Sequence, residues 1–258
     1  MTEPQRPPVV VLVGGVSELY QHDLDLGRLA VERLLLEDLG PGALVEELHY
    51  GAIAVAQRLE DLRPAALVLV SAVRRGREPG TVVRRRLDPP VLPAAEVQAA
   101  VGDAVTGYVH PDLVVEIAAA LGVLPPRTVA VEVEPAETGS GEGLSEPAKA
   151  GLEQALELVR AEARRAPLLA LADELRPLAA GPRLEDSAGL SALRRLLAEL
   201  VLLDCEGRWG RVFALRDELK LGIASGVSSE GMDHRDWALW WALVEELDRL
   251  ESVEAVPS

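Results

Sequence analysis

The chain has 258 residues, 48% hydrophobic and 3% aromatic, and its 42 acidic against 26 basic side chains leave a formal charge of −16. That composition supports a core of Leu, Val and Ala rather than a disordered chain, and the charge has the wrong sign for a generic nucleic-acid or anionic-membrane binder. The single cysteine, Cys205, excludes an internal disulfide, a four-thiolate zinc site and an iron–sulfur cluster.

The first eight residues hold no apolar signal core, and no run approaches ~18 apolar residues, so a soluble, cytoplasmic protein without a membrane span is expected. Residues 9–13 form a continuous apolar run that reads as a strand, followed by Gly14-Gly15. Apolar residues then recur at helical spacing over 26–39 and stop at Gly40-Pro41-Gly42. A strand at 44–48, a helix at 53–62 and an apolar strand at 65–70 follow, then a Pro79-Gly80 turn into a strand starting at Thr81. Pro111 opens a helix that Gly122 closes, residues 128–133 read as a strand, and Ser145 caps a helix running to about Arg165.

Strand–helix alternation with continuously hydrophobic strands predicts an α/β fold: a mainly parallel sheet with helices on both faces, a three-layer sandwich. Ligands of such sheets sit beyond the carboxyl ends of the strands, which points to the loops after Val13, Val70 and Val83 and to residues 107–110. Past Arg165 the pattern becomes helical, over 168–178, 187–203 and 233–250, separated by turn-rich stretches. The predicted organisation is an α/β domain over 1–165 and a mostly helical extension over 166–258.

Gly14-Gly15 with Gly27 suggests a phosphate cradle, but the spacing fits neither dinucleotide nor Walker loops and no Lys follows, so these glycines read as a turn. His22-Asp23-Leu24-Asp25 places nitrogen and oxygen ligands in the first loop, although either Asp also suits a helix cap before Leu26. His110-Pro111-Asp112 has the form of a helix start. No Gly-x-Ser-x-Gly elbow is present, and Cys205 has no nearby His in sequence. Trp237, Trp240, Trp241 and Val244 read as one helical stripe, packing the core of the extension or facing a partner.

Residues 67–81, Leu-Val-Leu-Val-Ser-Ala-Val-Arg-Arg-Gly-Arg-Glu-Pro-Gly-Thr, resemble the strand ending in Asp-Ala and the Pro-Gly-Thr loop of the hydrogenase maturation proteases. Gly14-Gly15 with residues 17–27, residues 118–135 and the Gly143-Leu-Ser-Glu-Pro147 helix entrance resemble further segments of that family in the same order. The resemblance implies an endopeptidase that removes the C-terminal extension of a nickel–iron hydrogenase large-subunit precursor, without nucleic acid or membrane as a partner. It also implies no tightly bound cofactor, the nickel of the substrate serving as the recognition element.

Three family positions recognise that nickel. Counted from Ser17, the acidic position of the first loop falls on Asp23; counted back from Gly27 it falls on Leu24, which binds no metal, and Asp23 is taken as the ligand. The middle Asp position is Ser71, a neutral and poor nickel ligand. The His position falls on Gly107, with His110 three residues on, about 4.5 Å along a helix. The resemblance thus implies nickel recognition by Asp23 and His110, with Ser71 and Gly107 as degenerate positions. Three functions follow: a working maturation protease, a non-catalytic hydrogenase assembly or binding factor, or an α/β protein that binds a small molecule at its strand ends.

Overall fold

The structure, a computed structural model, describes residues 9–48, 50–88, 93, 98–102, 109–180, 188–206, 209–224 and 234–254. Five strands, β1 (Val11–Gly15), β2 (Ala43–Glu47), β3 (Ala66–Ala72), β4 (Val82–Leu87) and β5 (Arg127–Val133), form one sheet in the order β2-β1-β3-β5-β4. Only β4 runs antiparallel, pairing with β5 at the edge. Every residue of β1, β3 and β5 is buried, which is why these segments read as unbroken apolar runs instead of alternating ones.

Helices α1 (Leu26–Leu34), α2 (Ala52–Leu62), α3 (Pro111–Ala120) and the first part of α4 (Glu146–Ala180) cover the two faces. Alternate residues of each strand divide between them. Val11, Val13, Val68 and Val70 pack with Leu26, Ala30, Leu156 and Val159 on one face, and Leu12, Leu67 and Leu69 pack with Val55, Leu59, Val114 and Ile117 on the other. The α/β sandwich expected from the sequence is the fold observed.

Three local readings change. Gly14 and Gly15 continue β1 instead of turning, in register with Glu46 and Glu47 on β2. Their missing side chains serve packing: a Cβ on Gly14 would strike Leu48, and one on Gly15 would strike the backbone of Gly27. Helix α1 ends at Leu34 rather than near residue 39. There Leu36 and Glu37 donate backbone hydrogen bonds three residues back, to Arg33 and Leu34, and Asp38 Oδ1 accepts from Gly40 N at 2.9 Å. This local side-chain bond competes with the helix and returns Leu39 to the core. The third concerns α4, which runs unbroken past residue 165 through Pro167 and Pro177, each lacking the N–H for one helical bond.

The chain divides into two compact units, Met1–Ala166 and Pro167–Ser258. In the second, the end of α4 and helices α5 (Ala188–Glu206), α6 (Trp209–Ala224) and α7 (His234–Glu254) enclose a core that includes Leu168, Leu193, Leu196, Leu219, Trp240 and Leu247. Trp240 and Val244 take the core role, whereas Trp241, about 100° further round the helix, is 47% exposed. No helix among the described residues is long and apolar enough to cross a membrane.

Candidate functional site

At the carboxyl ends of β1 and β3 the first loop, the β3–β4 loop and the start of α3 meet around a cleft of about 200 Å³ lined by Glu18, Leu24, Ala72, Val73, Arg74 and His110. A roomier cavity of about 440 Å³ lies in the second unit, lined among the described residues by Ala179, Ala180, Leu197 and Ala198 with Arg176 and Arg194.

Asp23 sits in a 3-10 turn, His22–Asp25, and is fully buried behind this cleft. Its carboxylate is engaged on both oxygens. Oδ2 accepts from Ala136 N, Glu137 N and Ser145 Oγ, each at 2.8 Å, and Oδ1 accepts from Ser145 N at 2.7 Å. Burial alone pushes this carboxyl up, but the bonds from Glu137, Ser145 and Ala136 together outweigh it and hold the group below its ordinary value. Asp23 therefore fastens the first loop to the segment between β5 and α4. Neighbouring Leu24, about 120° further round the turn, lines the cleft instead. Asp25 pairs with Arg28, and His22 packs over Gly141 with its ring 3.3 Å from Gly143 O.

Ser71 is 1% exposed near the end of β3, and its hydroxyl has no hydrogen-bond partner among the described residues. Its register partner on β5 is Glu132, completely buried and gripped by Arg75, Arg77 and Arg85 at 2.8, 3.3 and 2.7 Å. Desolvation raises the Glu132 carboxyl, but Arg75 and Arg85 pull it down to about 2. Arg75 and Arg85 also hold Asp112, at 2.7 and 3.1 Å, and Glu134 accepts from the backbone N–H groups of Arg75 and Gly76. The sequence analysis assigned no role to Glu132, Glu134, Arg75, Arg77 or Arg85. The visible signal was a concentration of six arginines within 13 positions, 74–86, of an otherwise acidic chain.

His110 is the N-cap of α3, and Pro111 occupies the first helical position, as its residue types suggested. Its Nδ1 accepts the backbone N–H of Asp112 at 3.2 Å. The Asp112 carboxylate is 3.5 Å from the same nitrogen and is also held by Arg75 and Arg85. A neutral imidazole accepting at Nδ1 carries its proton on Nε2. Burial lowers the imidazole's affinity for a second proton, with Arg75 adding to the effect against Asp112 and Glu132. Gly107 lies outside the described residues.

The structure thus brings His110 and Leu24 to one cleft, buries Ser71 in β3 next to the cleft-lining Ala72, and engages both carboxylate oxygens of Asp23 in hydrogen bonds. Two of the three positions do not suit a nickel ion as they stand: Asp23 is saturated by hydrogen bonds, and Ser71 is neutral and buried. Among the described residues, no three His, Cys, Asp or Glu side chains form a group that could hold a metal ion.

No protein-family model and no curated protein matches the chain. Its structural neighbours include hydrogenase maturation endopeptidases, at low identity and covering about three fifths of this chain. The hydrogenase-maturating endopeptidase HybD from E. coli is 23% identical over 60% of this chain and 93% of its own, with a TM-score of 0.45. A hydrogenase 2 maturation peptidase from a Thaumarchaeota archaeon is 22% identical over 58% and 94%, with a TM-score of 0.41. The [NiFe] hydrogenase maturation protease HybD from Thermococcus kodakarensis is 19% identical over 59% and 98%, with a TM-score of 0.42.

Proposed function

We propose that the first unit acts in the cytoplasm on the large-subunit precursor of a nickel–iron hydrogenase, taking the precursor's C-terminal region into the cleft at the sheet's carboxyl edge. The observation that carries this reading is the convergence of the family-like segments. The first loop, the end of β3 with the start of the loop that follows it, and the His110 helix start meet around one cleft, and the Ser145 helix entrance is tied to the first loop through Asp23. In this reading nickel belongs to the substrate, and the chain removes the precursor's extension as a maturation endopeptidase does.

A second reading has its own support. With Asp23 saturated and Ser71 neutral, the chain binds the precursor as an assembly factor and leaves it intact. Mixing the purified chain with nickel-loaded and nickel-free precursor, and following precursor mass, decides between them. Nickel-dependent loss of a C-terminal peptide selects the protease. An intact precursor in a stable complex selects the assembly factor. Neither cleavage nor complex overturns the proposal.

A further inference from the structure

In a parallel ladder alternate residues turn their backbone groups to a given neighbour, and β2 shows which of its residues turn to β1. Gly42 O accepts from Val11 N at 3.2 Å, and Leu48 N donates to Gly15 O at 2.8 Å. With Val11 in register with Ala43, and Gly15 with Glu47, these bonds aim the backbone groups of Gly42, Leu44, Glu46 and Leu48 at β1. The N–H and C=O of Val45 and Glu47 and the C=O of Ala43 therefore point to the outer edge, while Ala43 N turns to Gly40 O at 3.3 Å. Among the described residues no strand lies on that side, and all five residues of β2 are half-buried where those of β1 are buried.

Such an edge is a template for another strand unless charge, proline or a bulge guards it. The opposite edge is guarded, because β4 carries Arg84, Arg85 and Arg86 in succession. β2 opens with Ala-Leu-Val, keeps an unbroken register with β1, and has the charge of Glu46 matched by Arg58. We propose that this edge joins two copies of the chain, β2 pairing antiparallel with its twin about a two-fold axis through Val45, so that the two sheets become one. A two-fold contact must complement itself, and this one does. Centred on Val45, the outward N–H and C=O of that residue exchange bonds with their own counterparts, and those of Glu47 meet Ala43. Val45 then faces Val45, Leu44 faces Glu46 and Ala43 faces Glu47, which sets a β-branched pair on the axis and opposes no like charges. A centre at Glu46 or Glu47 would set glutamates opposite each other. A centre at Ala43 or Leu44 would bring Pro41, which has no N–H, into the ladder.

The test follows the mass of the full chain by sedimentation velocity across the micromolar range, with amide exchange measured at both ends of that range. A reversible dimer is expected, in which the Val45 and Glu47 amides are protected when concentrated and exchange when dilute. The Leu44 and Glu46 amides, bonded to β1, should stay protected at both concentrations. Val45→Pro removes one N–H from each copy and so two bonds from the contact; the dimer should weaken tenfold or more, and an outward N–H is where an edge strand tolerates proline. Ala43→Lys, opposite Glu47 of the twin, should tighten the dimer several-fold and Ala43→Glu should weaken it, both shifts shrinking in high salt. Circular dichroism checks that each variant is folded, and should Val45→Pro not fold, the two Ala43 variants carry the test. A monomer throughout the range overturns the proposal, as does a dimer indifferent to all the folded variants. Val45 protection that ignores concentration, or that appears only when hydrogenase precursor is added, also overturns it, giving the edge to another part of the chain or to the precursor.

Discussion

Replacing Asp23 by Asn separates a loop clamp from a metal ligand. The carboxylate accepts three bonds on Oδ2 and one on Oδ1 from the segment carrying Ala136, Glu137 and Ser145. Bonds to a charged group contribute ~1.5–3 kcal/mol each against ~0.5–1.5 for neutral ones. With the Asn oxygen at the Oδ2 position, three bonds therefore weaken by about 1 kcal/mol each. The amide NH2 then faces Ser145 N, and one unsatisfied buried donor adds ~1–3 kcal/mol. Relief from burying a charge offsets part of this, leaving a net loss of about 2–4 kcal/mol. At ~2–4 °C per kcal/mol for a unit of this size, the melting temperature should fall by about 4–16 °C. Urea unfolding followed by circular dichroism measures the loss, and hydrogen exchange over residues 134–146 locates it. The pH sign follows from the lowered carboxyl. Its stabilisation is fully present above the unfolded value of ~3.9 and disappears as pH falls through the lower folded value, so wild type and Asn variant should converge in acid. A change below ~0.5 kcal/mol with unaltered exchange at Glu137 and Ser145 would refute the clamp and return Asp23 to the list of ligands.

Glu132→Gln leaves three guanidinium groups facing a neutral amide, with a stability loss of about 3–5 kcal/mol in urea titration at neutral pH. The Glu132 carboxyl, held at about 2, contributes on the order of 3 kcal/mol above pH ~4.3, and acid titration of wild type should show that contribution draining away toward pH ~2. Gly27→Ala drives a methyl into the backbone of Val16 and Val70; thermal melting should register at least ~1–3 kcal/mol of destabilisation. Ser71→Asp buries a second carboxylate across from Glu132, so it should lower stability by about 2 kcal/mol or more without conferring nickel affinity, which calorimetric titration with nickel checks directly.

What was legible in the sequence was whatever local pattern fixes. The buried parallel strands announced themselves as apolar runs, and His110-Pro111-Asp112 announced a helix start through its residue types. The Gly14-Gly15 pair misled because a glycine's reason for being there is the atom that would collide with its Cβ. Here those atoms are Leu48 and Gly27, which are distant in sequence. Helix α6 escaped notice although Val212, Leu215 and Leu219 are spaced for one face, because Gly210 and Gly222 bracket a short, charge-interrupted stripe. The Arg75–Arg77–Arg85 cage around Glu132 joins the β3–β4 loop, two strands and a helix start, and no spacing rule anticipates such an assembly.

The site turned on a single residue of register. Asp23 and Leu24 are adjacent in sequence, and each satisfies one way of counting through the first loop. In a 3-10 turn neighbours project about 120° apart, so adjacent residues serve different masters. One enters the cleft, and the other lies behind it, where backbone N–H groups converge. A carboxylate in this loop is required wherever those N–H groups need an acceptor, whether or not a metal is bound. The bonds Asp23 makes to this segment account for its presence in the loop without calling on a metal. Leu24 and His110, by contrast, line the cleft, Leu24 as an apolar wall and His110 as the cap of α3.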